Sequence, residues 1–128
     1  MTACRMAALA AVAWLALAGT ARAEDQVAAG HTIFEHTCAI CHSTAIGVNK
    51  IGPSLWHVIN RPIASVQDFP YSAKLRSMKA EWGTWTPAHL DEYLINPRQI
   101  AHGVKMYFKG LPNAQDRAAV IAYLGTLQ

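Results

Sequence analysis

The chain has 128 residues, enough for one domain, with 52% hydrophobic residues and a formal net charge of +3 at pH 7. Its basic residues form neither a run nor a stripe, which excludes a nucleic-acid-binding protein. No internal repeat or low-complexity segment interrupts the sequence, so a single globular domain is expected.

The N-terminal segment 1–23 is predicted to be a cleaved secretory signal peptide. Arg5 precedes an apolar run over residues 6–18, and residues 21–23 read Ala-Arg-Ala, the A-x-A pattern of a cleavage site. An uncleaved membrane anchor is the competing interpretation. The run is shorter than the ~20 apolar residues that a spanning helix needs, and this favours the signal peptide and argues against stable membrane insertion.

Removal of the signal peptide would leave residues 24–128 as the domain. The lost segment contains Arg5 and Arg22, so nine basic and eight acidic residues would remain, a formal charge of +1. Cys38 and Cys41 would be the remaining cysteines, too few for the disulfide framework of many small secreted domains.

The domain opens with a predicted helix. Asp25 is a candidate N-cap, and Val27, Gly30, Phe34 and Cys38 recur at helical spacing on one face. Glycine inside a helix costs up to ~1 kcal/mol relative to alanine. Its presence on this face therefore indicates that another helix packs closely against it.

The helix leads into Cys38-Ala39-Ile40-Cys41-His42, which has the C-x-x-C-H spacing of a c-type haem attachment site. Two thiols at this spacing can each add to one vinyl group of a porphyrin, and the adjacent imidazole can then bind the iron. Tetrahedral zinc would need two further ligands at regular spacing. A redox dithiol would need a βαβ context, which the flanking sequence does not show. We therefore expect one haem c, attached through Cys38 and Cys41.

The middle of the chain is predicted to alternate between short helices and loops. Glycine, proline and polar residues interrupt each apolar stretch, so no long helix is expected there. In chain order, we expect a loop at 43–52, a short helical piece at 56–60, an irregular segment at 61–70, a helix from Ser72 to about Lys79 and a loop at 82–85.

Two later helices carry clear start signals. Thr86 and Pro87 fit the N-cap and first helical position, and Pro97 ends this helix because the residue before proline avoids helical geometry. A short turn or helix is expected at 98–101. The last helix is predicted to start at Asn113, with an apolar face that extends to Leu127.

From Gly30 to its end, the chain resembles the class I cytochromes c, close to mitochondrial cytochrome c and bacterial cytochrome c2. The C-x-x-C-H motif is common to many cytochromes, whereas the whole ordered set is far more specific. The matching stretches are Gly30, Phe34, Cys38-x-x-Cys41-His42, Gly52-Pro53-x-Leu55, Arg61, Phe69-x-Tyr71-Ser72, Trp85, Tyr93-Leu94-x-Asn96-Pro97, Gly103-x-Lys105-Met106-x-Phe108 and Ile121-Ala122-Tyr123-Leu124.

The resemblance implies an all-α fold in which a few helices surround a buried haem, with the N- and C-terminal helices packed together. It also implies a role for each matched residue. His42 would be the proximal iron ligand, Met106 the distal one and the Pro53 carbonyl the acceptor for the second N–H of His42. Arg61, Tyr71 and Trp85 would surround the haem propionates, Tyr93 would lie near the Met106 sulfur, and Gly30 and Phe34 would pack near Val120 and Tyr123.

Without the family, the residues alone leave more than one candidate for the distal ligand. A methionine is usually a core residue, and Met78 on the second predicted helix is a possible alternative. Met106 lies in a late irregular loop that could cover the open face of a haem, which favours it. His102, four residues earlier, is a rival because imidazole also binds iron.

Several positions depart from the family pattern. Val104 replaces a usual threonine and removes a hydroxyl that would hydrogen-bond a propionate. His57, Asn60 and Asp68 stand at positions that are usually glycine. Asn and Asp tolerate a positive φ better than most residues do, so the loop at 56–69 can keep its path at those two positions.

The function that these patterns imply is a soluble periplasmic carrier of single electrons, not an enzyme, since two protein ligands leave no vacant iron site. Partners would be a cytochrome bc1-type complex, an oxidase or a dehydrogenase, docked transiently by a monomer. Lys50, Lys105 and Lys109 are candidate docking residues. The alternatives are a haem enzyme or gas-binding protein whose distal ligand dissociates, and the dedicated electron-accepting subunit of one periplasmic dehydrogenase.

Overall fold

The computed structural model describes residues 21–128, which form five helices in the order α1 to α5. An isolated antiparallel bridge between Pro62 and Thr84 is the β pairing in this part of the chain. The predicted all-α fold is confirmed. The helices are α1 at 21–37, α2 at Ala73–Trp82, α3 at Pro87–Ile95, α4 at Pro97–Ile100 and α5 at Ala114–Leu124.

The predicted signal peptide lies almost wholly in residues 1–20, outside the described part of the chain. Residue 21 is already helical, so Asp25 lies inside α1, and its predicted role as the N-cap is wrong. Within residues 21–128, none of the helices has the combination of length and apolar character needed to cross a membrane.

The helices α1 and α5 pack directly on each other. Gly30 is buried, and a Cβ at this position would collide with the backbone carbonyl of Ala119 on α5. Phe34, one helical turn further on, is 2% exposed, and its ring centroid lies 5.3 Å from that of Tyr123. The prediction that the N- and C-terminal helices pack together is therefore confirmed, and Gly30 allows their close approach.

Side-chain caps fix the starts of α2, α3 and α5. The Ser72 hydroxyl accepts a hydrogen bond from the Leu75 N–H, and the Thr86 hydroxyl accepts one from the His89 N–H. The Asn113 side chain caps α5 in the same way. These starts agree with the sequence predictions, because capping depends on local residue chemistry. The end of α2 was placed too early, since this helix continues to Trp82.

The segment between the haem motif and α2 is a series of turns, and the helical piece predicted at 56–60 is wrong. His57 and Asn60 have φ of 51° and 62°, values that interrupt a right-handed helix. Ala64 and Asp68 also have positive φ, 52° and 59°. The three positions where the family usually has glycine therefore keep a glycine-like backbone, and Ala64 adds a fourth left-handed residue.

The core lies between this loop and α1, α2, α3 and α5. Met78 is 1% exposed and belongs to the core, and Leu127 is buried although it lies beyond the end of α5. Cys38, Leu55, Tyr71 and Met106 are partly buried and pack against the same apolar cluster. The cysteine and methionine of the predicted site thus share one continuous apolar core.

Candidate haem site

The C-x-x-C-H motif forms a compact turn at the C-terminal end of α1. The Cys38 N–H donates to the Phe34 carbonyl at 2.7 Å, and the His42 N–H donates to the Cys38 carbonyl at 2.9 Å. Both Cys38 and Cys41 are free and partly buried. Before haem attachment, burial, with a smaller contribution from Cys41, raises the pKa of the Cys38 thiol to about 11.

The imidazole of His42 is held by the backbone of the following loop. Its Nδ1 lies 2.8 Å from the Pro53 carbonyl oxygen, which can only accept a hydrogen bond. Nδ1 therefore carries the proton, and Nε2 keeps its lone pair available for a metal ion. Burial lowers the pKa of His42, which favours the neutral ring that binds iron.

The loop at 43–55 closes tightly around this ring. A Cβ at Gly52 would meet the His42 ring atoms, so glycine lets the backbone pass against the imidazole face. The Gly52 N–H donates to the Cys41 carbonyl at 2.7 Å, and the Leu55 N–H donates to the Ser43 carbonyl at 2.8 Å. The imidazole is thus held both by Pro53 and by the shape of the loop.

Arg61, Trp85 and Tyr71 lie close together at the edge of the core. Paired backbone hydrogen bonds of 2.9 Å join Asn60 and Arg61 to Trp85. One Arg61 nitrogen donates to the carbonyls of Ser54 and Trp56. Burial lowers the pKa of the Arg61 guanidinium, and the nearby Tyr71 phenol partly offsets this shift.

These three side chains offer the polar groups that an anionic group would need. Among the described residues, neither the Trp85 indole N–H nor the remaining guanidinium nitrogens of Arg61 donate a hydrogen bond, and no buried side-chain N or O atom lacks a partner. The Tyr71 hydroxyl accepts from the Val66 N–H at 3.3 Å and keeps its own proton free to donate. Two carboxylates could be held here by charge and by hydrogen bonds.

Met106 lies on the loop between α4 and α5 and packs against the cluster that contains Tyr93 and Trp85. The loop is held at its end by the Leu111 N–H, which donates to the Leu94 carbonyl at 2.8 Å. His102 is exposed, whereas Met106 is partly buried. The structure therefore places the thioether, and not the rival imidazole, against the core.

Tyr93 is buried beneath this loop, and its ring centroid lies 4.9 Å from that of Trp85. Burial raises the pKa of Tyr93 to about 12. No hydrogen bond joins the Tyr93 hydroxyl to the Met106 sulfur in the described residues. The two side chains thus share the apolar cluster without a direct polar contact.

Sequence reasoning missed an aromatic stack beside Trp85. The ring of Trp82 stacks on that of His89 at 4.7 Å and meets Trp85 edge-on at 6.2 Å. The His89 Nδ1 also donates to the Thr84 carbonyl at 2.7 Å. The sequence signal for this stack was the pair of tryptophans in the segment predicted as a loop. The stack forms because α2 extends to Trp82.

The residues present fit a covalently bound haem. Cys38 and Cys41 supply two thiols at the required spacing, and His42 supplies an imidazole with an available Nε2. Met106 offers a thioether at the edge of the core, and Arg61 offers a cation that could pair with the propionates. Residues 21–128 contain no group of three or more histidine, cysteine and carboxylate side chains that could hold a free metal ion.

Comparison with known proteins gives a consistent result. Residues 27–128 match the family described as Cytochrome c. The chain is 50% identical over 99 residues to the cytochrome c-type cyt cy of Rhodobacter capsulatus. This alignment covers 77% of this chain and 48% of that protein. It is 39% identical over 111 residues to cytochrome c2 of Rhodopila globiformis, covering 86% and 100% respectively. It is 40% identical over 103 residues to cytochrome c2 of Afifella marina, covering 80% and 82%.

The lengths of these matches differ. The chain spans about half the length of the R. capsulatus protein, which is 48% covered. It spans all of the aligned R. globiformis protein and most of the A. marina protein.

Proposed function

We propose, from the premise that this chain belongs to the cytochrome c family, that it carries single electrons between redox proteins of the periplasm. One haem c is attached through Cys38 and Cys41, as the family and the motif require. The observation that carries the proposal is the orientation of His42, whose Nδ1–H is bound by Pro53 so that Nε2 remains available.

We infer that His42 and Met106 would be the two protein ligands of the haem iron. The haem, when bound, supplies a one-electron redox centre whose potential depends on these ligands. His42 is kept neutral by burial, and the thioether of Met106 is a weaker donor that favours the reduced state. Two protein ligands leave no position for a substrate, which supports electron transfer and not catalysis.

Arg61, Tyr71 and Trp85 are proposed to bind the haem propionates. A buried carboxylate is costly unless a cation and hydrogen-bond donors face it. The Arg61 guanidinium has free N–H groups, and the Trp85 indole supplies another donor beside it. These residues would hold the negative charge inside the protein and keep water away from it.

The location and the partners are proposed from the N-terminal sequence and from the surface charge. The predicted signal peptide supports a periplasmic location. Lys50, Lys105 and Lys109 are exposed, and they are candidates for transient contacts with a bc1-type complex, an oxidase or a dehydrogenase. Since the domain is nearly neutral, we expect electron transfer to such partners to depend less on salt than it does for a strongly basic cytochrome.

A visible spectrum combined with a redox titration tests the proposal. The purified holoprotein should show a six-coordinate, low-spin haem that is oxidised and reduced reversibly by one electron. The haem should stay with the polypeptide through acid–acetone extraction. Carbon monoxide should bind the reduced protein slowly or not at all, and rapid binding would favour a gas-binding or enzymatic haem protein instead.

A further inference from the structure

The Trp85 side chain belongs to a closed ring of contacts. Its indole meets the ring of Trp82 nearly edge-on, with 6.2 Å between the centroids and an interplanar angle of 83°. The Trp82 ring in turn stacks on the His89 imidazole at 4.7 Å, with an angle of 16°. His89 is joined back to the residue before Trp85, because its Nδ1 donates to the Thr84 carbonyl at 2.7 Å. We call Trp82 and His89 the supporting pair.

The supporting pair comes from the two helices that flank Trp85 in the chain. Trp82 is the last residue of α2, and His89 lies in the first turn of α3, where its N–H donates to the Thr86 hydroxyl at 3.1 Å. Both side chains of the pair are half-buried. An imidazole held by a helix and by a carbonyl has little freedom to move, so it gives the Trp82 ring a fixed surface on which to stack.

The backbone of Trp85 is fixed separately from its side chain. Its N–H and its carbonyl form hydrogen bonds of 2.9 Å with Arg61 and Asn60. These bonds place the residue, but the tilt of the indole depends on the rings of Trp82 and Tyr93 that it contacts. Aromatic pairs prefer edge-on and offset geometries, so the two contacts favour one orientation. The indole N–H, which no other group among residues 21–128 accepts, is therefore oriented by ring packing.

We propose that Trp82 and His89 are positioning residues, which hold the Trp85 indole so that its N–H points at a haem propionate. They act through Trp85 and thereby help to set the equilibrium between the ferric and the ferrous protein. The inference rests on the proposed role of Trp85 in binding a propionate. It extends that role to two residues outside the proposed propionate site.

A tilt of the indole changes the charge that lies near the iron. A hydrogen bond weakens steeply as its donor turns away from the acceptor. A propionate with a weaker donor keeps more of its negative charge, and a negative charge near the iron favours the ferric state. Loss of the supporting pair should therefore make the holoprotein harder to reduce, although none of the proposed propionate ligands is replaced.

NMR of the ferrous holoprotein reports the orientation of the indole. The Trp85 indole N–H signal is assigned as the one that Trp85→Phe removes. His89→Ala and Trp82→Ala should each shift this signal and speed its hydrogen exchange about tenfold or more, because the N–H is no longer held against its acceptor.

Redox titration at fixed pH measures the effect on the iron. His89→Ala and Trp82→Ala should each lower the equilibrium constant for reduction by a fixed redox couple about threefold. Trp82→Phe keeps an aromatic ring between Trp85 and His89, so it should stay within about twofold of the wild type in both the exchange rate and the equilibrium constant.

Two further variants are controls. His36→Ala makes the same replacement at an exposed histidine on α1, and Val120→Ala weakens the core on α5, a helix that does not carry the supporting pair. Neither should change the exchange of the Trp85 indole N–H by more than about twofold. If His89→Ala and Trp82→Ala respond no more than His36→Ala does, the proposal is overturned. An equal response to Val120→Ala would also overturn it, because general destabilisation would then be the cause.

Trp85→Phe separates this inference from the proposed function. If Trp85→Phe lowers the equilibrium constant for reduction but His89→Ala and Trp82→Ala do not, only the positioning role fails. If Trp85→Phe leaves the constant unchanged, the proposed propionate role of Trp85 fails, and the positioning role fails with it. Reversible one-electron cycling of the Trp85→Phe holoprotein would show that the carrier function is intact in either case.

Discussion

Arg117 on α5 is joined to Asp91 on α3 by a 2.8 Å hydrogen bond from Nε to Oδ1. Arg117 is 8% exposed, whereas the Asp91 side chain remains half-exposed. The same guanidinium donates to the carbonyls of Leu111 and Pro112, both at 2.9 Å. One side chain thus connects two helices to the end of the loop that carries Met106.

Arg117→Ala should lower the free energy of unfolding of the holoprotein by about 2–4 kcal/mol, because it leaves two carbonyls and a carboxylate without their donor. Asp91→Asn should cost about 1 kcal/mol or less, since the half-exposed amide can still accept the hydrogen bond. Guanidinium chloride titration measures both changes. Arg76→Ala, at an exposed arginine on α2, is the control, and an Arg117→Ala effect no larger than that of the control would contradict this role.

Met106→Ala and Met78→Ala should change different properties of the holoprotein. The first should remove a ligand, so we expect a lower potential and an iron that binds added imidazole or cyanide faster. The second should leave the ligand spectrum nearly unchanged but lower the free energy of unfolding by about 2–4 kcal/mol, because Met78 is 1% exposed. Spectra, redox titration and denaturation distinguish the two. A bis-histidine spectrum in the wild type that is lost in His102→Ala would show that the distal ligand is His102.

Ala64→Gly should stabilise the protein, although the same change elsewhere destabilises it. Ala64 has φ of 52°, a left-handed conformation that is costly for any residue with a Cβ. We expect a gain of about 0.5–1 kcal/mol there, and a loss of about 1 kcal/mol for Ala118→Gly in the middle of α5. Thermal unfolding of the two variants should therefore shift in opposite directions, and shifts of the same sign would show that the Ala64 backbone is not strained.

Tyr93 should make the fold sensitive to alkali. Its pKa is raised from 10.0 to about 12 by burial, so between these values the unfolded chain releases the proton while the folded protein keeps it. The unfolded state then binds fewer protons, and the free energy of unfolding falls as the pH rises, by about 2 kcal/mol at pH 12.

Tyr93→Phe should reduce this fall in the free energy of unfolding between pH 10 and 12. Denaturant titrations at pH 9 and pH 11 measure the difference. Some loss should remain, because burial also raises the pKa of Tyr71 and Tyr123. Tyr107→Phe is the control, since Tyr107 is 96% exposed. If the two variants respond alike to alkali, the buried phenol of Tyr93 is not the cause.

The features that were predictable from the sequence depend on local chemistry. The starts of α2 at Ser72, α3 at Thr86 and α5 at Asn113 were predicted correctly, and they depend on capping oxygens that bind N–H groups two or three residues away. The close contact at Gly30 could be inferred because glycine inside a helix needs a reason.

The features that were missed depend on contacts between residues that are far apart in the chain, or on backbone conformation. Arg117 and Asp91 are 26 residues apart, and no local pattern joins them. Ala64 gave no sign of a left-handed backbone, because alanine is among the residues least expected there. The stack of Trp82 on His89 depends on where α2 ends, and helix ends are poorly determined by sequence.

The confinement of His42 has a consequence for the speed of electron transfer. The imidazole is bound at Nδ1 by the Pro53 carbonyl, and the Gly52 backbone lies against its face. As the proposed iron ligand, an imidazole held on two sides can move little when the iron gains or loses charge. The nuclear reorganisation that accompanies each electron jump should therefore be small, and a carrier built this way needs less driving force to pass its electron quickly.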